Sequence, residues 1–133
     1  MKMRDHLARE GTPAVAADML PKLLSDRAPA ENADLVRHVR TMIEGADAAG
    51  VDAAIAALMG RPDSTPDLPR VACGTLVLVG ERDLITPVAD AETMQRAIPR
   101  STLTVVPEAG HLSNLERPET FNRVIADFLL ARL

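Results

Sequence analysis

The sequence predicts an α/β fold in which a helical segment precedes parallel βα units. Two observations carry this class. Residues 71–133 alternate short β-branched runs with amphipathic helical runs, and the stretch before about residue 61 shows only helical patterning, rich in alanine. The chain therefore reads as a helical segment over 1–60, a proline-rich linker over 61–70 and a βαβα part over 71–133.

Each element has a local reason. Thr12-Pro13 is a helix start, with Thr as N-cap and Pro at the first helical position. Val15, Met19, Leu20, Leu23 and Leu24 follow at helical spacing, and Pro21 is expected to break or kink the helix. Glu31 to Gly45 places Leu35, Val36, Val39, Met42 and Ile43 on one stripe, with Gly45 as C-cap. Gly50 is expected to separate a further short helix, Val51 to Met59. The run Gly60 to Arg70 holds Pro62, Pro66 and Pro69, a linker composition. Thr75 to Val79 (TLVLV) predicts a strand buried on both faces, as in a parallel sheet. Pro87 to Ile98 reads as a helix, and Ser101 to Val106 (STLTVV) as a second strand. Arg117 to Leu133 is the last helix, with Phe121, Val124, Ile125, Phe128 and Leu129 on one face. Two strands do not make a stable parallel sheet by themselves.

Composition narrows the function classes. The 133 residues suit one ordinary domain, and 47% apolar with 26% charged residues is usual for a soluble globular protein. Two Phe with no Trp or Tyr speak against a stacking platform for single-stranded nucleic acid. A net charge of -4 speaks against a phosphate-binding surface. One cysteine, Cys73, excludes an internal disulfide and a multi-cysteine zinc site, and reads as a small core residue. No apolar run approaches the roughly 20 residues of a membrane-spanning helix, and Met1 to Glu10 has no apolar signal-peptide region. The expectation is a soluble, cytoplasmic chain with neither nucleic acid nor membrane as partner.

In open parallel sheets, functional groups gather beyond the carboxyl ends of the strands. Two loops fall there. GERDLITP places Asp83 four residues past Val79, and PEAGHLSNL places His111 five residues past Val106. Such an Asp and His could be the orienter and base of a nucleophilic triad. On spacing alone, Asp83 could equally be a turn former or helix cap, and His111 a hydrogen-bonded loop residue. His6 and His38 fall on helical faces and read as surface residues. No pair of His, Asp or Glu has metal-ligand spacing.

Two segments then carry a resemblance. Thr75 to Pro87 (TLVLVGERDLITP) resembles the α/β-hydrolase segment in which a late strand ends at Gly and the triad acid follows in Gly-x-x-Asp. Val106 to Phe128 (VPEAGHLSNLERPETFNRVIADF) resembles that family's closing segment, a Gly-His pair, then Glu-x-Pro-Glu, then the final helix. The resemblance implies the C-terminal part of an α/β-hydrolase fold, with Asp83 as triad acid and His111 as triad histidine. It also implies that residues 1–60 are the family's helical cap, that the substrate is a small ester or lactone, and that no cofactor or metal is needed. Gly74 departs from the Pro common before that strand.

The family's nucleophile sits in G-x-S-x-G, and none of Ser25, Ser64, Ser101 and Ser113 has that context; no HGGG-type oxyanion loop is present either. The chain is thus expected to lack both nucleophile and oxyanion hole, and to be inactive in isolation. The first reading is an enzyme part, completed by a missing N-terminal half. The second is a non-catalytic half-hydrolase acting as a binding or oligomerisation module, with a self-association partner covering its sheet edge. The third is a complete small hydrolase using Ser113.

Overall fold

Residues 2–131 are described by the computed structural model, and they divide into two units. One is built from the chain up to Pro21 together with Ala28–Asp63, the other from Lys22–Arg27 together with the chain from Ser64 onward. The six residues Lys22–Arg27, which the sequence reading places in the helical segment, fall in the second unit.

The first unit is helical. It holds α1 (Lys2–Glu10), α2 (Thr12–Leu23, whose last two residues fall in the other unit), α3 (Ala28–Glu31), α4 (Ala33–Glu44) and α5 (Ala48–Met59). Gly11 stands between α1 and α2 at φ 74, a left-handed turn that glycine adopts without Cβ strain. Thr12 was expected to cap α2; instead it lies within the helix, and its buried hydroxyl donates to the Glu44 carbonyl at 2.8 Å. α2 also runs through Pro21 and ends two residues later. A proline so near the end costs little of the hydrogen-bond ladder.

The helix expected from Glu31 begins two residues later, as α4, because Asn32 caps it by accepting the Leu35 N–H, and Glu31 closes α3. Gly45 closes α4 as expected. Gly50 is no separator: Asp47 caps α5, its carboxylate accepting the Gly50 N–H at 2.8 Å, and Gly50 sits in the first turn. Inside this unit Arg4 grips Asp52 through two bonds of 2.5 and 2.7 Å, tying α1 to α5. That grip holds the Asp52 carboxyl below the usual carboxylate range. His6 pairs with Asp18 at 2.7 Å, tying α1 to α2.

The second unit carries the parallel pair. β1 (Thr75–Gly80), α6 (Val88–Ala97) and β2 (Ser101–Val106) form a βαβ unit, with register running from Thr75↔Ser101 to Gly80↔Val106. α7 (Ser113–Glu116) and α8 (Pro118–Leu130) complete it. The end of the expected helix at Arg132 and Leu133 lies outside the described residues. α7 was not foreseen, and the stretch read as linker closes with a 3-10 helix, Thr65–Arg70, started by Pro66.

Val77, Val79 and Ala91 form the core on the α6 side, with Val88 and Leu103 packed against them. On the opposite face, Leu76 and Leu78 are only half-buried, so β1 is fully buried on one face rather than two. Leu76 borders a groove toward α8 that Thr102, Thr104, Val124 and Phe128 also line. Among the described residues, no helix is long and apolar enough to cross a membrane.

Candidate active site

The parallel register brings the ends of β1 and β2 level at Gly80 and Val106, so the two loops that follow leave the same sheet edge side by side. Gly80 makes their close approach possible. A Cβ there would lie 2.1 Å from the Gly110 carbonyl oxygen and 2.4 Å from that of Ala109. The loops are laced by backbone bonds, with the Glu81 N–H donating to Val106 O and the Arg82 N–H to Ala109 O. Glu108 adopts φ 58, a left-handed conformation uncommon for a side-chain-bearing residue. Its N–H donates to the Glu81 carboxylate at 2.9 Å, and its own carboxylate pairs with Arg27 and Arg82.

This lacing places His111 Nδ1 2.9 Å from Asp83 Oδ2. The Asp83 side chain is 4% exposed and the imidazole 34% exposed, so the acid is sequestered while the ring reaches the surface of the chain. Asp83 Oδ1 accepts the N–H groups of Ile85 and Thr86 at 2.8 and 2.9 Å. Oδ2 accepts the Thr86 hydroxyl at 2.8 Å as well as facing the ring. Burial works to raise the Asp83 pKa, but the bonds from the Thr86 amide, His111, the Thr86 hydroxyl and the Ile85 amide together hold it below the usual carboxylate range. An ionised carboxylate only accepts, so the proton of neutral imidazole belongs on Nδ1 and the lone pair on Nε2. That is the tautomer able to take a proton from a hydroxyl.

Asp83 orders the turn before α6 through its bonds to Ile85 and Thr86, and the same carboxylate meets the imidazole. Other candidates are placed elsewhere. Ser25 is buried and gives its hydroxyl to Glu116 at 2.6 Å. Ser101 is turned to the Gln95 and Ile98 carbonyls, both at 2.8 Å. Ser64 sits at the start of the 3-10 helix, and Ser113 is buried at the start of α7 rather than on a strand-to-helix elbow. Cys73 was expected in the core but is exposed, because it lies in the connection before β1 rather than in the ladder. His38 is exposed, whereas His6 is half-buried against Asp18. Among the described residues, no group of three or more His, Cys, Asp or Glu is arranged to hold a metal ion.

Thr86 carries no role in the sequence reading, and Glu116 enters it only as the first residue of Glu-x-Pro-Glu, with no role assigned. Thr86 Oγ1 touches both site residues, 2.8 Å from Asp83 Oδ2 and 3.3 Å from His111 Nδ1. A hydroxyl three residues past the acid was the available signal. Glu116 accepts bonds from Gly110 and Ser25, and nothing local marks it as buried.

The chain is also similar to known proteins in sequence and fold. A sequence model of the alpha/beta hydrolase family matches residues 3–124. The chain is similar to 3-oxoadipate enol-lactonase 2 of Acinetobacter baylyi, 39% identical over 67 residues, which cover 50% of this chain and 25% of that protein. It superposes on a thermophilic esterase from Thermogutta terrifontis with TM-score 0.92 and 38% identity, over 98% of this chain and 48% of the esterase. The enol-lactonase from Burkholderia xenovorans LB400 shares the fold, with TM-score 0.90 and 24% identity over 97% of this chain and 49% of its own. The chain thus spans a quarter of the curated relative and about half of each solved structure. With the family match extending over nearly all of its residues, the chain belongs to the alpha/beta hydrolase family.

Proposed function

We propose that this chain supplies the acid and the general base of a serine hydrolase acting on a small ester or lactone, with His111 as base and Asp83 as its orienter. The observation that carries the reading is the 2.9 Å contact between a buried, hydrogen-bonded carboxylate and a partly exposed imidazole at the carboxyl ends of adjacent parallel strands. Likeness to an esterase and to enol-lactonases supports the substrate class.

The nucleophilic serine and the oxyanion donors come, in this reading, from residues outside this chain. His111 Nε2 takes the proton of that serine as its oxygen attacks the carbonyl carbon. The imidazolium is stabilised by Asp83 and then gives the proton to the departing alkoxide, leaving an acyl-enzyme. Water repeats the sequence: His111 takes its proton, hydroxide attacks the acyl carbon, and the proton returns to the serine. The scheme needs no metal or cofactor. On its helical content and its place before the acid-bearing strand, the first unit is assigned to the family's helical insertion.

The test is hydrolysis of short-chain nitrophenyl esters and small lactones by this chain joined to an N-terminal portion bearing G-x-S-x-G, with the chain alone as control. Turnover that needs both parts and falls by about 10³-fold or more in His111→Ala is expected. Turnover by the chain alone, or turnover indifferent to His111, sinks the proposal.

A second reading has its own observation. The sheet among the described residues has two strands, so each strand has an edge unpaired there, and such edges template association. In this reading the chain is a non-catalytic module that pairs with a second copy of itself. Sedimentation equilibrium decides: a dimer mass that survives Asp83→Asn and His111→Ala supports it, and a monomer removes it.

A further inference from the structure

We infer that Glu116 is a positioning residue for His111, its buried carboxylate tying the histidine loop to the segment Lys22–Arg27. The consequence for catalysis rests on the functional reading above, whereas the positioning itself does not. Glu116 is 8% exposed and receives three donors. The Gly110 N–H donates to Oε2 at 2.6 Å and the Ser25 hydroxyl to Oε1 at 2.6 Å. The Ser25 N–H lies 3.0 Å from Oε1 and 3.2 Å from Oε2. A carboxylate can only accept, and three converging donors suit it. A glutamine in its place would turn its own N–H donors toward donors.

Gly110 immediately precedes His111, and the residue after it is pinned as well, the Leu112 N–H donating to Leu23 O at 2.9 Å. Both anchors lie on one short stretch of chain, Leu23 to Ser25, about 90 residues away in sequence. The approach leaves no slack. A Cβ at Gly110 would come within 2.7 Å of Leu24 C and of Ser25 N, and 2.9 Å of Glu116 Oε2. The backbone on either side of His111 is thereby held against one stretch of chain, which fixes where the imidazole starts its reach toward Asp83.

The experiment uses the full chain, with Glu116→Gln and Ser25→Ala, and follows three signals by NMR. These are the solvent exchange of the His111 Nδ1 proton shared with Asp83, exchange of the Gly110 amide, and exchange of the β1–β2 ladder amides. In Glu116→Gln the first two are expected to quicken by at least about ten-fold while the ladder stays protected, and Ser25→Ala is expected to do the same to a smaller degree. If Glu116→Gln folds and its His111 proton exchanges as in the parent, Glu116 merely stabilises the fold and the inference fails. If that variant does not fold, Ser25→Ala decides alone: a quickened His111 proton upholds the inference and an unchanged one overturns it. Ester turnover is not among these readouts, so an inactive chain bears on the functional reading alone.

Discussion

His111 Nδ1 and Asp83 Oδ2 lie 2.9 Å apart although 28 residues separate them in the chain. Two backbone amides occupy Asp83 Oδ1, so the imidazole meets the other oxygen, which it shares with the Thr86 hydroxyl. The carboxylate therefore has one open direction, and the ring orientation follows from it. This arrangement orders a loop and selects a tautomer at once.

Asp83→Asn keeps the size of the side chain but presents an N–H₂ group that can face the imidazole. The tautomer preference then reverses, and hydrolysis by the assembled enzyme is expected to fall by about 10⁴-fold. Steady-state kinetics with a nitrophenyl ester measures this, and an unchanged rate would take Asp83 out of the chemistry.

The acid limb of stability should report on Thr86. The hydrogen bonds hold the folded Asp83 pKa below its unfolded value. Their stabilisation is therefore fully present above the ordinary aspartate pKa of about 4 and is lost as pH falls through the lower folded value. Thr86→Val deletes one donor to the ionised form, which raises the folded pKa toward the unfolded one. Near neutral pH the variant is expected to be less stable by about 1 kcal/mol, and the gap should close in acid, where Asp83 is protonated in both. Urea midpoints measured across this range test the sign, and a gap that widens in acid would contradict it.

Gly80→Ala forces a methyl group into two carbonyl oxygens of the histidine loop. Overpacking of this kind costs about 1–3 kcal/mol, and here the strain falls on the loops that carry Asp83 and His111. Thermal melts should show the loss of stability, and the His111 Nδ1 proton should exchange faster. An alanine variant as stable as the parent would mean that the loops can part without penalty.

Asp47→Ala removes the cap of α5 and leaves the Gly50 N–H without its 2.8 Å acceptor. A stability loss of about 1 kcal/mol is expected. Because Asp47 belongs to the helical unit, the His111–Asp83 proton should be unaffected; a change in it would be an unexpected coupling.

Much of the fold was legible. β1, β2 and α6 lie within a residue of their sequence-based bounds, because short apolar runs closed by Gly and Pro leave few alternatives. The helical stretch was less legible where polar side chains chose between local and distant partners. Thr12 prefers a carbonyl of Glu44 to the start of its own helix, and Asp47 draws Gly50 into a helix that the glycine was expected to precede. The full burial expected of β1 failed because what covers the second face of a strand is a property of its neighbours.

The sequence by itself determined the class of fold and the two loops that carry Asp83 and His111. These follow from local periodicity, from turn chemistry and from the order of elements along the chain. Only the tertiary structure decided that the two side chains meet, that Thr86 shares their contact and that Glu116 accepts the amide beside His111. It also decided that Lys22–Arg27 belongs with residues some 60–90 positions away. Those facts depend on groups brought together by folding. A hydrogen bond between Ser25 and Glu116 spans 91 positions and leaves no periodic trace in the sequence of either partner.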